Sequence, residues 1–249
     1  MDLGLAGSRV VVTGGSRGIG SAIARTFLDE GASVTICARS TDRLEATRVA
    51  LGSDRVRAVT ADVGDPEAVR ALVEGTVEAV GGIDVVIANA TANAAGASEP
   101  EFAASFDVDL MQSVRLVAAV LDAQPDRPFS MVCLGSIDGM SGATPHHAYS
   151  VMKAALLAWT KNAAVAYGPL GIRVNAVCPG AILFEGGWWD RVRLDDPEGF
   201  RRHVGRIPAG RMGTSEEVAA VVTFLASPKA SWVNGATVLV DGGEHRSAG

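Results

Sequence analysis

A chain of 249 residues with 48% hydrophobic and 20% charged side chains can bury a large core, which excludes a disordered or fibrous protein. A net charge of −6 without any block of like charge leaves no basic footprint for nucleic acid, and no apolar run is long enough to cross a bilayer. Aromatic residues are only 5%, so Val, Ala, Leu and Ile must fill the interior.

Strand-like runs recur along the chain. RVVVT (9–13) comes first, then a glycine-rich turn and a helical stretch over 18–30 that ends at Gly31, a plausible C-cap. SVTIC (33–37) and RVRAVT (55–60) are strands, and 66–80 is a helix with Asp65 as N-cap and Pro66 at its first position. IDVVIAN (83–89), a helix over 100–121, SMVCL (130–134), a helix over 149–167 and IRVNAVC (172–178) follow, then a helix over 215–226 and TVLVD (237–241). Several of these runs are continuously apolar, as strands covered on both faces are. Strand and helix in alternation specify a parallel sheet wrapped by helices. With no linker or repeat, one doubly wound α/β domain over 1–249 is expected.

Cys37, Cys133 and Cys178 lie far apart in apolar surroundings, predicting buried reduced thiols; no Cys or His spacing suggests a metal site. The opening MDLGLAGSRVVVTGG lacks the pattern of a secretory leader, so a cytoplasmic protein is expected.

Directly after the first strand stands Thr13-Gly14-Gly15-Ser16-Arg17-Gly18-Ile19-Gly20. Gly14 suits a tight turn, Gly18 permits close approach of a pyrophosphate, and Gly20 permits close helix–strand packing. The helix that opens here offers free N–H groups to the anion. A dinucleotide site is expected. Where an NAD site places a carboxylate after the second strand, this chain has Cys37-Ala38-Arg39-Ser40. Arg39, with Arg17, suits a 2′-phosphate, so NADP(H) is predicted over NAD(H).

Tyr149 and Lys153 are four apart on a predicted helix and share one face. An ammonium beside a phenol favours phenolate, so the pair predicts general acid–base chemistry on a lowered phenol pKa. Ser136, thirteen residues upstream and just past the fifth strand, is placed to bond the same oxygen.

These residues resemble the short-chain dehydrogenases/reductases over essentially the whole chain, in the branch that includes 3-oxoacyl-carrier-protein reductases. TGGSRGIG resembles the family's cofactor loop, Asp62-Val63 its adenine contact, Asn89-Ala90 its fourth strand end, and Ser136, Tyr149 and Lys153 its catalytic set. Asn175 and Pro179-Gly180 resemble further landmarks, and the C-terminal third matches in RMGTSEEVAAVVTFLAS and VNGATVLVDGG. The resemblance implies a Rossmann fold with seven mostly parallel strands. It implies that Lys153 binds the nicotinamide ribose, that Tyr149 protonates a ketone oxygen during hydride transfer, and that Ser136 steadies the carbonyl. Asn89, Ile182 and the backbone near Gly180 would line the cofactor. A homotetramer built partly on the helices at 100–121 and 149–167 is implied as well.

The chain departs from the family at three points. Asp109 stands where an asparagine is usual, Thr91 replaces a glycine, and Phe184 replaces a threonine that meets the nicotinamide amide. Asp109 is expected to support the proton relay while adding charge near Lys153. Residues 181–210 are expected to form a mobile lid, with Gly186 and Gly187 as hinges. Its Phe184, Trp188 and Trp189, with Ile137 next to Ser136, predict a lipophilic or aromatic ketone or alcohol as substrate; packing of the tryptophans against the lid's own scaffold or a subunit neighbour is the competing reading. His146 and His147 are expected to serve the loop before Tyr149. Two other functions share these motifs: a nucleotide-binding regulator without catalysis, and an epimerase or dehydratase that retains its cofactor.

Overall fold

The computed structural model describes residues 2–94, 96–141 and 146–246. Seven parallel strands form one sheet: β1 (Arg9–Thr13), β2 (Ser33–Ala38), β3 (Val56–Thr60), β4 (Val85–Ala88), β5 (Ser130–Leu134), β6 (Arg173–Pro179) and β7 (Thr237–Val240). Their spatial order is β3-β2-β1-β4-β5-β6-β7. The chain thus builds outward from β1 in one direction, returns, and builds outward from β4 in the other. A crevice opens between the C-terminal ends of β1 and β4, where ligands of such sheets bind.

Alternation along the strands divides the core in two. Val10, Val12, Val34 and Ile36 face α1 (Gly18–Asp29), α2 (Thr41–Leu51) and α9 (Ser215–Ala226), whose Ile23, Phe27, Leu44, Val218 and Val222 complete one apolar layer. Val11, Cys37, Val86 and Met131 face α3 (Pro66–Val80), α5 (Gln112–Ala123) and α6 (His147–Tyr167), joined by Val69, Leu72, Leu116, Val120 and Leu156. Both faces are covered, which is why these strands read as continuous apolar runs.

The predicted helix ends hold. Asp65 Oδ1 accepts from the Glu67 amide at 2.9 Å with Pro66 behind it, and Gly31 adopts φ +86 just beyond α1. Two expectations change. Residues 41–51 form α2, which buries only Leu44 and Leu51 and so carries little apolar periodicity. The predicted helix over 100–121 is interrupted: α4 (Glu99–Ser105) leads into a π-helical turn over Phe106–Met111 before α5 begins. The Asp109 carboxylate accepts from Ser105 Oγ at 2.8 Å, and the Gln112 amide bonds back to the Val108 carbonyl, which hold this wider turn.

The segment after β6 carries α7 (Trp188–Asp195) and α8 (Pro197–Val204). Its base is closed by Leu183 N–H to Gly213 O and Gly213 N–H to Ala181 O, each at 2.9 Å. The three cysteines are buried and free, and burial pushes their thiols up to about 12 for Cys37 and about 11 for Cys133 and Cys178. No helix among the described residues is long and apolar enough to cross a membrane.

Candidate active site

The glycine loop lies at the β1–β4 crevice and lines a cavity of about 500 Å³. Gly14 has φ +65, and a Cβ there would lie 2.9 Å from the Ala90 Cα; one at Gly20 would press into the Gly14 carbonyl. Asn89 Nδ2 donates to the Thr13 and Gly14 carbonyls at 2.8 and 3.2 Å. The Thr13 hydroxyl accepts from the Asn89 and Ala90 amides at 2.9 and 3.1 Å and donates to Gln112 Oε1 at 2.9 Å. Gln112 Nε2 closes the network on the Ala90 carbonyl at 2.6 Å. α1 opens without a side-chain cap, which leaves its first N–H groups for an anion in the loop.

Around this loop the cavity is lined by Ser16, Ile19, Arg39, Asp62 and Val63 at one end, and by Asn89, Ala90, Pro179, Gly180 and Ile182 toward the other. Asp62 Oδ1 accepts from the Gly64 amide at 2.9 Å, which fixes the turn after β3. Arg43, from the first turn of α2, and Arg191, from α7, line the same space, and sequence reasoning missed both. Burial and the positive charges of Arg43 and Arg191 hold the Arg17 guanidinium below its ordinary pKa.

Ser136, Tyr149 and Lys153 meet at the far end of the cavity. Ser136 Oγ accepts from the Asp138 amide at 3.1 Å, and Lys153 Nζ lies 5.4 Å from the Tyr149 ring centroid. Lys153 Nζ donates to the Leu134 carbonyl at 2.8 Å and lies 3.3 Å from Asp109 Oδ1. Asp109 is therefore behind the lysine, away from the cavity wall, as a direct ion-pair partner. The expectation of a lowered phenol pKa is corrected. Burial raises Tyr149 above 10, Lys153 and Ser136 pull it down by less, and Asp109 and Asp138 push it further up. Burial also pulls the Lys153 ammonium down, but Asp109 and Tyr149 outweigh it, so its pKa is raised above 10.5.

The aromatic residues of 181–210 separate into different roles. Phe184 lies on the glycine loop: a Cβ at Gly18 would be 2.6 Å from its ring. Trp189 lines the cavity, yet it also stacks on His203 with ring centroids 4.0 Å apart and packs against the cluster of Ala181, Ile207 and Met212. Trp188 is half exposed and meets the His146 ring edge-on at 5.6 Å. His146 in turn lies 6.4 Å from the Tyr149 ring and 3.0 Å, through Nδ1, from Asp138. His146 thus contacts two cavity-lining residues, Trp188 and Tyr149, without lining the cavity itself. Ile137 is not among the cavity-lining residues, and Thr91 Oγ1 accepts from the Asn93 amide at 3.2 Å beside the cavity.

Glu244 was also missed. One of its oxygens accepts from the Ala181 amide at 2.8 Å and the other lies 2.8 Å from His203 Nε2, off the line of a good hydrogen bond. It ties the residue after Gly180 to α8. Gln112 could have been found three residues beyond Asp109 on one helix; Glu244 gave no local signal. Asn175, by contrast, is structural: buried, it bonds Val233 O and the Ala236 amide at 2.9 Å.

Comparison with known proteins agrees with this geometry. A family model described as enoyl-(acyl carrier protein) reductase matches residues 14–245. The isoepoxydon dehydrogenase of Penicillium expansum is 38% identical over 254 residues, covering 98% of this chain and 97% of that one. The 2-(R)-hydroxypropyl-CoM dehydrogenase of Xanthobacter autotrophicus is 38% identical over 247 residues, covering 94% and 98%. The solved structure of L-sorbose reductase from Gluconobacter frateurii, in complex with NADPH and L-sorbose, superposes with a TM-score of 0.91 at 31% identity, covering 99% and 100%. The chain belongs to the short-chain dehydrogenase/reductase family of oxidoreductases.

Proposed function

We propose that this chain is an NADP(H)-dependent oxidoreductase that interconverts a ketone and a secondary alcohol, with Tyr149 as the proton donor and acceptor. One observation carries the reading: Tyr149, Ser136 and Lys153 line the same cavity as the glycine cradle. The cradle fits a dinucleotide, because Gly14 and Gly20 let the loop pack closely against Ala90 and the start of α1, whose uncapped first amides can take a phosphate. Gly14, Ser16, Gly18, Ile19 and Gly20 would hold the pyrophosphate, Asp62 and Val63 the adenine, and Arg17 and Arg39 the 2′-phosphate. Asn89, Ala90, Pro179, Gly180 and Ile182 would line the nicotinamide end, and Lys153 its ribose. The bound cofactor supplies or takes up the hydride.

Tyr149 and Ser136 would both bond the substrate oxygen. A phenol held above its ordinary pKa is protonated at neutral pH, so it is ready to donate as the oxygen gains charge. Lys153, kept cationic by Asp109, stabilises the phenolate left behind. Trp188 supplies an apolar wall, and the His146–Asp138 pair supports it from behind. The substrate that suits this wall is a lipophilic ketone or alcohol. The regulator and the epimerase or dehydratase are not favoured, because the proton-transfer set is assembled and the relatives are named dehydrogenases and reductases.

Association through α6, where Val151 and Val165 are exposed, is the proposed route to a homotetramer; mass measurement in solution tests it. The activity is tested by following NADPH and NADH oxidation with cyclic diketones, lipophilic ketones and ketose sugars. Turnover of a cyclic or lipophilic ketone with NADPH supports the reading. No turnover with any ketone, or turnover only with sugars, overturns its respective part.

A further inference from the structure

Arg191 lies on the lid helix α7, yet the cavity it lines is that of the glycine loop. Three arginines line it from three separate elements: Arg17 from the loop before α1, Arg43 from the first turn of α2 and Arg191 from α7. Among the described residues none of the three has a carboxylate within ion-pair distance. The nearby acid of α7, Asp190, is taken up by Arg193 at 2.7 Å and by the Gly186 amide at 2.9 Å. Uncompensated like charges repel, and a dianion placed among them relieves the repulsion while accepting charge-assisted hydrogen bonds.

α7 also connects the two ends of the site. Arg17 Nη1 donates to the Gly186 carbonyl at 2.9 Å, immediately before the helix. The Arg191 guanidinium lies 5.5 Å from the Trp188 ring centroid, and Trp188 meets His146 beside Tyr149. A force on Arg191 therefore acts on the wall of the substrate pocket. The anion at this end differs from the pyrophosphate, which the uncapped amides of α1 would take.

We propose that Arg191 is a cofactor-selecting residue: from the lid, it joins Arg17, Arg39 and Arg43 in the arginine site for the 2′-phosphate of NADP(H), and so holds the helix that presents Trp188 to the substrate. This rests on the NADP(H) reading above. Cofactor choice is then shared between the floor of the site and its lid, and NADPH prepares the substrate pocket where NADH does not.

The test is equilibrium binding by calorimetry of NADPH, NADH, adenosine 2′,5′-bisphosphate and ADP to the wild type, Arg191→Ala and Arg191→Lys. Arg193→Ala, on the same helix but paired with Asp190, is the control. Arg191→Ala should weaken NADPH and the 2′,5′-bisphosphate about five- to tenfold and leave NADH and ADP within about twofold. Arg191→Lys should recover part of the loss, and the control should bind as the wild type does. With NADPH, the ketone KM of Arg191→Ala should rise as well. Equal weakening of both cofactors would move Arg191 to the pyrophosphate and overturn the proposal. If the wild type prefers NADPH and Arg191→Ala keeps that ratio, the proposal fails while the NADP(H) reading stands. If the wild type binds both cofactors equally, the NADP(H) reading fails first.

Discussion

Asp109 and Lys153 form a dry ion pair, with Oδ1 3.3 Å from Nζ and side chains 0% and 3% exposed. The other carboxylate oxygen is held by Ser105 at 2.8 Å, and the lysine by the Leu134 carbonyl at 2.8 Å. A charge at this depth is tolerated only with its partner, because either ion alone would lose its hydration without compensation. The π-helical turn over Phe106–Met111 brings the carboxylate to this position. The pair sets the charge behind Tyr149.

Asp109→Asn removes the negative charge and keeps a side chain of the same shape. Asp109 raises the pKa of both Tyr149 and Lys153, so the substitution lowers both. Alcohol oxidation requires the phenolate, and its rising limb with pH should move to lower pH. An unchanged profile would assign the charge no role. The sign for stability follows from the same shift. A lysine held above 10.5 in the fold stabilises below that pH and loses the contribution as pH rises through the folded value. Thermal stability above pH 10.5 should therefore fall more steeply in the wild type than in Asp109→Asn. Asp109→Ala, which strands the ammonium, should cost about 3–5 kcal/mol.

Gln112→Leu tests the network that shapes the crevice. Gln112, itself buried, accepts from the Thr13 hydroxyl and donates to the Ala90 and Val108 carbonyls. Leucine leaves these groups unpaired, at about 1–3 kcal/mol for each group without a substitute partner. Denaturant unfolding should show a loss of several kcal/mol, and cofactor affinity should fall with it. A variant as stable as the parent would remove Gln112 from the account.

The glycine cradle makes a sharper demand. At Gly20 an added Cβ meets the Gly14 carbonyl oxygen, a backbone atom that cannot turn aside. Gly20→Ala should cost about 1–3 kcal/mol of stability and weaken both NADPH and NADH, since α1 must back away from the loop. Gly75→Ala, where a Cβ meets nothing within 4 Å, should leave binding unchanged and serves as the control.

Much of this was legible in the chain, for identifiable reasons. Buried parallel strands such as RVVVT and SMVCL announce themselves by continuous apolar content, and Asp65-Pro66 marks a helix start by chemistry confined to two residues. Tyr149 and Lys153 are four apart on one helix, so local geometry already joins them. α2 was missed because only Leu44 and Leu51 are buried, and the π-helical turn because its cause is the bonding of Ser105 and Gln112 rather than a pattern of side-chain types. The net rise of the Tyr149 pKa escaped because burial, which outweighs Lys153, is a property of the packed site. Arg191 and Glu244 reach the site from distant segments, and nothing in their neighbours announces this.

Glu244 carries a further expectation. It holds the Ala181 amide and faces His203, so it restrains the base of the 181–210 segment and α8 together. Glu244→Ala should raise the ketone KM several-fold while the rate at saturation changes little, because Tyr149 and Lys153 are untouched. A fall in kcat with unchanged KM would contradict this division of roles.

The central claim is that the phenol oxygen of Tyr149 moves the proton. The measurement that tests it most directly is the rate of NADPH oxidation by Tyr149→Phe at saturating ketone, with NADPH affinity determined on the same sample. The account predicts a fall of about 10²-fold or more with affinity retained within a few-fold. A Tyr149→Phe protein that reduces its ketone at the parental rate contradicts it.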